Sequence, residues 1–188
     1  MKQPIDTLKS EHRVIERALG ALDGICQRME QNERIPSEAL SSLIDFFRMF
    51  ADRCHHGKEE AQLFPALVER GIPREGGPIG VMLYEHEVGR GLVKEFSQAA
   101  EAYHSGDASA GQQIISVGHR YIELLTQHIY KEDNILFRMA EQVLDEPSQR
   151  ALGEAFEQVD SEFGDGFHQR YEQLANALEQ AWSSGSKG

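Results

Sequence analysis

The sequence predicts an all-α protein, an antiparallel up-down-up-down four-helix bundle with additional C-terminal helices. Three observations predict it. Apolar residues recur at helical spacing through four long segments. The connections between them are short and carry Pro, Gly and Ser breakers. No run alternates between apolar and polar as a half-buried strand would.

The first helix is expected from about Asp6 to Met29, with Asp6 as its cap. "QNERIPSE" is a turn, and Ser37 is placed to cap a second helix running to Glu69, which Pro65 should kink. "RGIPREGGP" is a loop, followed by a third helix from Ile79 to His104 that stops at "HSGD". The fourth runs from Ala108 to Leu144 and ends at "DEPSQ". Two further helical stretches are separated at "GDG", Gly164 to Gly166. The expected organisation is a bundle over residues 1–145, a C-terminal helical extension packed on it over residues 146–182, and a disordered tail over residues 183–188.

Composition narrows the function. With 31 acidic and 19 basic residues the 188-residue chain carries a formal charge of −12, which argues against nucleic acid and anionic membranes as partners. No apolar run approaches the roughly 20 residues that span a bilayer, and the N-terminus has no apolar signal-peptide core. Two cysteines do not make a disulfide framework. A cytoplasmic location is expected.

The eight histidines are informative through their positions. "HHGKEEAQLFP" offers two pairs at a spacing of four, His55 with Glu59 and His56 with Glu60. On a regular α-helix such residues share a face. Met49, Leu63 and Leu67 lie at helical spacing from His56, whereas Arg48 and Gln62 lie at heptad spacing from His55. The phase therefore favours His56 and Glu60 as the inward pair. In "HIYKEDNILF", His128 and Glu132 repeat the spacing among Tyr121, Leu125, Leu136 and Met139, and Asp133 lies on a more marginal face. His12, among Ile5, Leu8, Ile15 and Leu19, and His86, among Ile79, Met82 and Val93, add one inward imidazole each. A single such histidine is more often a hydrogen-bonded core residue than a ligand. Four of them with two carboxylates, spread over four helices, suit a transition-metal centre. Six protein ligands exceed the four of a structural zinc site and fit two ions bridged by carboxylates.

The segments "SEHRVIERAL", "HHGKEEAQLFPAL", "EHEVGRGLV" and "HIYKEDNILF" closely resemble the hemerythrin-like HHE cation-binding domains of bacteria, over roughly Ile5 to Leu144. The resemblance implies a four-helix bundle with two non-haem iron ions joined by an oxo- or hydroxo-bridge. It also implies His12, His56, Glu60, His86, His128 and Glu132 as ligands. Oxygen-carrying members place a second histidine one turn after the third-helix ligand, where this chain has Arg90, and commonly an aspartate five after the last histidine, a position held here by Asp133. The first departure implies one imidazole fewer and more coordination open to small ligands. The expected function is a di-iron protein that binds, senses or reacts with oxygen, peroxide or nitric oxide. Alternatives are a peroxide-consuming or iron-sulfur repair enzyme, or iron storage or delivery. Paired Glu-x-x-His motifs of a ferritin-type centre and the Cys-x-x-Cys-His of a c-type haem are absent from the sequence.

Overall fold

The computed structural model describes residues 3–183. Most of the disordered tail expected over residues 183–188 therefore lies outside the described residues. The described chain is helical throughout, without strands. Helix α1 is Pro4–Glu30. Helix α2 covers residues 37–69: Ser37–Phe46 is α-helical, Phe47–His56 and Glu59–Leu63 are wound as π-helix, and Phe64–Glu69 is again α-helical. Helix α3 is Pro78–His104. Helix α4 covers residues 110–143, with a π-helical turn at Glu132–Leu136. Helices α5, Glu146–Glu162, and α6, Phe167–Trp182, follow.

The helix starts differ slightly from expectation. Gln3, not Asp6, is the N-cap of α1; its extended backbone leads into Pro4, whose fixed φ suits a first turn. Asp6 lies inside that turn, where a carboxylate suits the positive end of the helix dipole. Pro36 caps α2, so Ser37 is its first helical residue. Pro65 does not end α2. It has no N–H for the carbonyl four residues back, and the widened π turn just before it absorbs that lost bond. Gly164 and Gly166 break the C-terminal stretch with φ of 85° and 79°, a left-handed backbone that glycine adopts without strain.

Buried apolar side chains form two clusters. Along α1 and α3 the chain passes from the cluster of Ile5, Leu8, Ile79 and Met82 to the cluster of Ile15, Leu22, Leu92 and Phe96. Along α2 and α4 it passes the other way, from Leu40, Phe47, Ile114 and Leu125 to Leu63, Phe64, Leu136 and Phe137. Between the clusters every one of these four helices presents buried polar side chains: Glu11 and His12; His55, His56, Lys58 and Glu59; His86; His128 and Glu132. The extension spans the same divide. Leu152 and Phe156 of α5 join one cluster, and Tyr171, Ala175 and Leu178 of α6 join the other. Helix α6 lies so close to α1 that a Cβ on Gly24 would collide with the Trp182 carbonyl. No described helix is long and apolar enough to cross a membrane.

Candidate metal centre

The polar layer resolves into two groups that share one carboxylate. His56, Glu59, His86 and His128 bring one ligand atom each within 4.8 Å of one another, and so do His12, His55, Glu59 and Glu132. Glu59 turns Oε1 toward Nε2 of His55, at 3.5 Å, and Oε2 toward Nε2 of His86, also at 3.5 Å. Glu132 Oε2 lies 3.1 Å from Nε2 of His12 and 3.3 Å from Nε2 of His128.

The opposite nitrogen of every ring is anchored. Nδ1 of His12 meets Asp133 at 2.8 Å, that of His55 meets Glu11 at 2.8 Å, and that of His56 meets Asp52 at 3.4 Å. Nδ1 of His86 meets Glu60 at 2.7 Å, and that of His128 meets Glu85 at 3.0 Å. A carboxylate on Nδ1 accepts the ring proton there and keeps Nε2 aimed inward. Against burial, Asp133 and Glu132 push His12 up, and Glu132 and Glu85 push His128 up to about 9. Five outer carboxylates thus orient five rings, as the partners of metal-bound histidines do.

The inner atoms are poorly satisfied. Nε2 of His55, both oxygens of Glu59 and Oε1 of Glu132 are buried without a hydrogen-bond partner. Buried polar atoms are normally paired, and a fully buried carboxylate without one is costly. Burial and the nearby Glu132 push the Glu59 carboxyl well above its ordinary range. Burial opposes ionisation of Glu132 too, but His128 and His12 outweigh it and hold its carboxyl well below that range. Burial pushes His55 down to about 4, and burial together with His86 and His128 pushes His56 well down. Both rings are therefore neutral near pH 7, the state in which imidazole ligates a cation. Unpaired oxygens and oriented imidazole nitrogens converging on two points fit a pair of cations.

The model of the hemerythrin HHE cation-binding domain matches residues 3–140. The chain belongs to this family. Uncharacterized protein Rv1995 of Mycobacterium tuberculosis (strain ATCC 25618 / H37Rv) and uncharacterized protein Mb2018 of Mycobacterium bovis (strain ATCC BAA-935 / AF2122/97) are each similar to it. Both are 25% identical over 173 residues, covering 91% of this chain and 67% of the relative. No solved structure matches.

In this HHE domain His12, His56, His86, His128 and Glu132 come together in the two groups. Glu60 does not join them. Its side chain is 28% exposed, and it holds Nδ1 of His86 and the Arg90 guanidinium from outside the ring layer. The choice of His56 and Glu60 over His55 and Glu59 as the inward pair is corrected: His55 and Glu59 are 1% and 0% exposed, and both belong to the cluster. The physical reason is the winding of α2. A π turn holds more residues than the 3.6 of an α turn, so a phase counted at 3.6 drifts across Phe47–His56 and Glu59–Leu63. The widened turn lets neighbours His55 and His56 both face inward. The π turn at Glu132–Leu136 does the same in α4, bringing adjacent Glu132 and Asp133 to opposite nitrogens of His12. The doubled "HH" and "EE" next to a helix-embedded proline were the available signal.

His55 also corrects the imidazole count, since five rings enter the layer instead of four. Arg90 turns away as a guanidinium must, onto Asp52 at 2.9 Å, Glu60 at 2.6 Å and Glu87 at 2.5 Å. His119 and His104 are both exposed, away from this layer. His168 was unassigned by the sequence. It lies at the level of the polar layer, 2.8 Å from Asp160 and 3.4 Å from Nζ of Lys58. Lys58 is fully buried, with Glu11 at 2.5 Å and Asp160 at 2.6 Å. A chain of contacts thus links α5 and α6 through Lys58 and Glu11 to His55.

Proposed function

We propose that this chain is a non-haem di-iron protein that binds, senses or reacts with oxygen, peroxide or nitric oxide. The observation that carries the reading is the set of four orphaned buried ligand atoms, on His55, Glu59 and Glu132, within two groups that share Glu59. His56, His86 and His128 would hold one ion, and His12 and His55 the other. Glu59 and Glu132 would bridge them, together with an oxo or hydroxo group. Seven ligand side chains of this kind suit iron in particular, because mixed imidazole and carboxylate donors serve both its oxidation states. An iron pair held here would supply electrons to a small oxidant.

The polypeptide fixes the rest. Asp52, Glu11, Glu60, Glu85 and Asp133 orient the rings. The two apolar clusters exclude water from either side. Two imidazoles would hold the second ion where three would hold the first, which would leave the His12–His55 side more room for an incoming ligand. The reversal of cluster order between α1 and α3 on one hand and α2 and α4 on the other supports an antiparallel four-helix bundle over residues 1–145, with residues 146–182 as a helical extension. Small diatomic molecules or peroxide are the proposed partners, and a cytoplasmic setting is consistent with two free cysteines.

Anaerobic titration with iron(II), followed by metal analysis, tests the reading. Two ions per chain are expected, with optical changes when the loaded protein meets oxygen, peroxide or nitric oxide. A single tightly bound ion per chain overturns the dinuclear assignment. A loaded pair inert to all three oxidants overturns the proposed reactivity.

A further inference from the structure

A cavity of about 180 Å³ opens between α2, α3 and α4, beside the three-histidine group. Its walls divide by chemistry. Phe47, Val93 and the ring of Tyr121 are apolar, and Gly89 leaves room where a side chain would otherwise project. Arg48, Arg90 and Lys94 line it with positive charge, against one carboxylate, Asp52. Asp52 is already engaged, by Arg90 Nε at 2.9 Å and by Nδ1 of His56 at 3.4 Å.

Arg48 and Lys94 have no hydrogen-bond or ion-pair partner among the described residues, although the chain carries a formal charge of −12. Two cations without a protein partner on the rim of one cavity make it a local positive patch on an otherwise acidic protein. Tyr121 gives a second, independent observation. It is only 5% exposed, its ring packs edge-on against Phe47 at 4.8 Å, and its hydroxyl has no hydrogen-bond partner among the described residues. The hydroxyl is not fully enclosed, so it is open to the cavity as a donor.

We propose that this cavity binds a small monocarboxylate with an apolar body. Its carboxylate would be held by Arg48, Lys94 and the Tyr121 hydroxyl, and its body by Phe47, Val93 and the open face of Gly89. Arginine offers paired N–H groups that match a carboxylate. A dianion such as inorganic phosphate would leave the apolar walls unused. The occupant would lie against Asp52 and His56, so the site would couple an organic acid to the metal centre without supplying a ligand to it. The site itself stands on Arg48, Lys94 and Tyr121, none of which is proposed to touch metal.

Calorimetric titration of the iron-loaded full chain with benzoate tests the proposal, with metal content measured on the same samples. One-to-one binding is expected. Arg48→Gln and Lys94→Gln, both at exposed positions, should each weaken it about tenfold, the size of one charge-assisted hydrogen bond. Tyr121→Phe should weaken it with the fold intact, and neutral benzamide should bind at least about tenfold more weakly. Absence of saturable heat up to about 10 mM benzoate, beyond the millimolar range, overturns the proposal. So does binding that survives unchanged in both charge variants, or benzamide binding as tightly as benzoate. Loss of iron would register separately in the metal analysis, so failure of the di-iron assignment is distinguishable from failure of this one.

Discussion

Nε2 of His55 and Oε1 of Glu59 face each other across 3.5 Å, and neither atom has a hydrogen-bond partner. His55 is anchored by Glu11 at its other nitrogen, so its ring has little freedom to turn away. The pair is held in place by groups outside it and satisfied by nothing inside it. A cation between them would resolve both deficits.

His55→Ala and Glu59→Ala are therefore expected to reduce bound iron to one ion per chain or fewer. Glu60→Ala should retain both ions with affinity lowered about 10–100-fold, because Glu60 acts by holding His86. Metal analysis after anaerobic loading and desalting distinguishes these outcomes. Equal loss in Glu59→Ala and Glu60→Ala would show that Glu60 reaches the metal.

That contrast also marks where the sequence stops being legible. His12, His86, His128 and Glu132 were readable because the helix up to each of them is regular, so neighbours three, four and seven residues away report the face. His55 and Glu59 were not, because spacing on a π-helix does not follow the 3.6 rule. Nothing in the local residue types announces the extra residue per turn except the doubled pairs and Pro65. Lys58 and His168 were illegible for a different reason. Their partners Glu11 and Asp160 are 47 and 8 residues away in sequence and come from separate helices. The Lys58–Glu11 contact needs α2 packed on α1, and only the docking of α5 and α6 brings Asp160 and His168 to it. The helical class, the four long segments and the C-terminal break needed no such long-range information.

Lys58 is the second testable position. Its ammonium is fully buried, and burial alone would favour the neutral form, but Glu11 outweighs that and pushes its pKa up. Glu11 is held below its ordinary range, against burial, by His55 and Lys58. Lys58→Met removes the cation and leaves Glu11 and Asp160 without it. Breaking a buried pair in this way costs about 3–5 kcal/mol. Chemical denaturation should show that loss, and Lys58→Met combined with Glu11→Gln should lose less than the two single changes added together. Strict additivity would mean that the two side chains do not interact.

Acid stability offers a third measurement, at a position remote from the metal layer. The Asp145 side chain accepts the Ser148 N–H at 3.0 Å as the N-cap of α5 and pairs with Arg70 at 2.9 Å. The bonds from Ser148 and then Arg70 lower its pKa to about 2. A carboxyl depressed on folding stabilises above its unfolded pKa, roughly 4, and loses that contribution as pH falls toward about 2. Asp145→Ala should therefore be less stable than the parent at pH 6, and the gap should narrow as pH falls from about 4 to about 2. A gap independent of pH would remove ionisation as the source.

The last prediction concerns how the extension is docked. Gly20 and Gly24 sit one turn apart on α1, and their surroundings are opposite. A Cβ on Gly20 would meet no heavy atom within 4 Å, whereas one on Gly24 would collide with the backbone carbonyl of Trp182 at the end of α6. A backbone group on a neighbouring helix cannot swing aside like a side-chain tip, so α6 would have to move. Arg28 ties the same end of α6 through the Ala181 carbonyl at 3.1 Å and lies 4.8 Å over the Trp182 ring. Those contacts resist the shift. Gly20→Ala should stabilise by about 0.5–1 kcal/mol, since alanine loses less backbone freedom in a helix. Gly24→Ala should destabilise by about 1–3 kcal/mol through overpacking, and Trp182 fluorescence should report a changed environment. If both substitutions stabilise equally, α6 does not lie against α1 at Gly24. The route from α6 through His168, Lys58 and Glu11 to His55 would then lose its structural support as well.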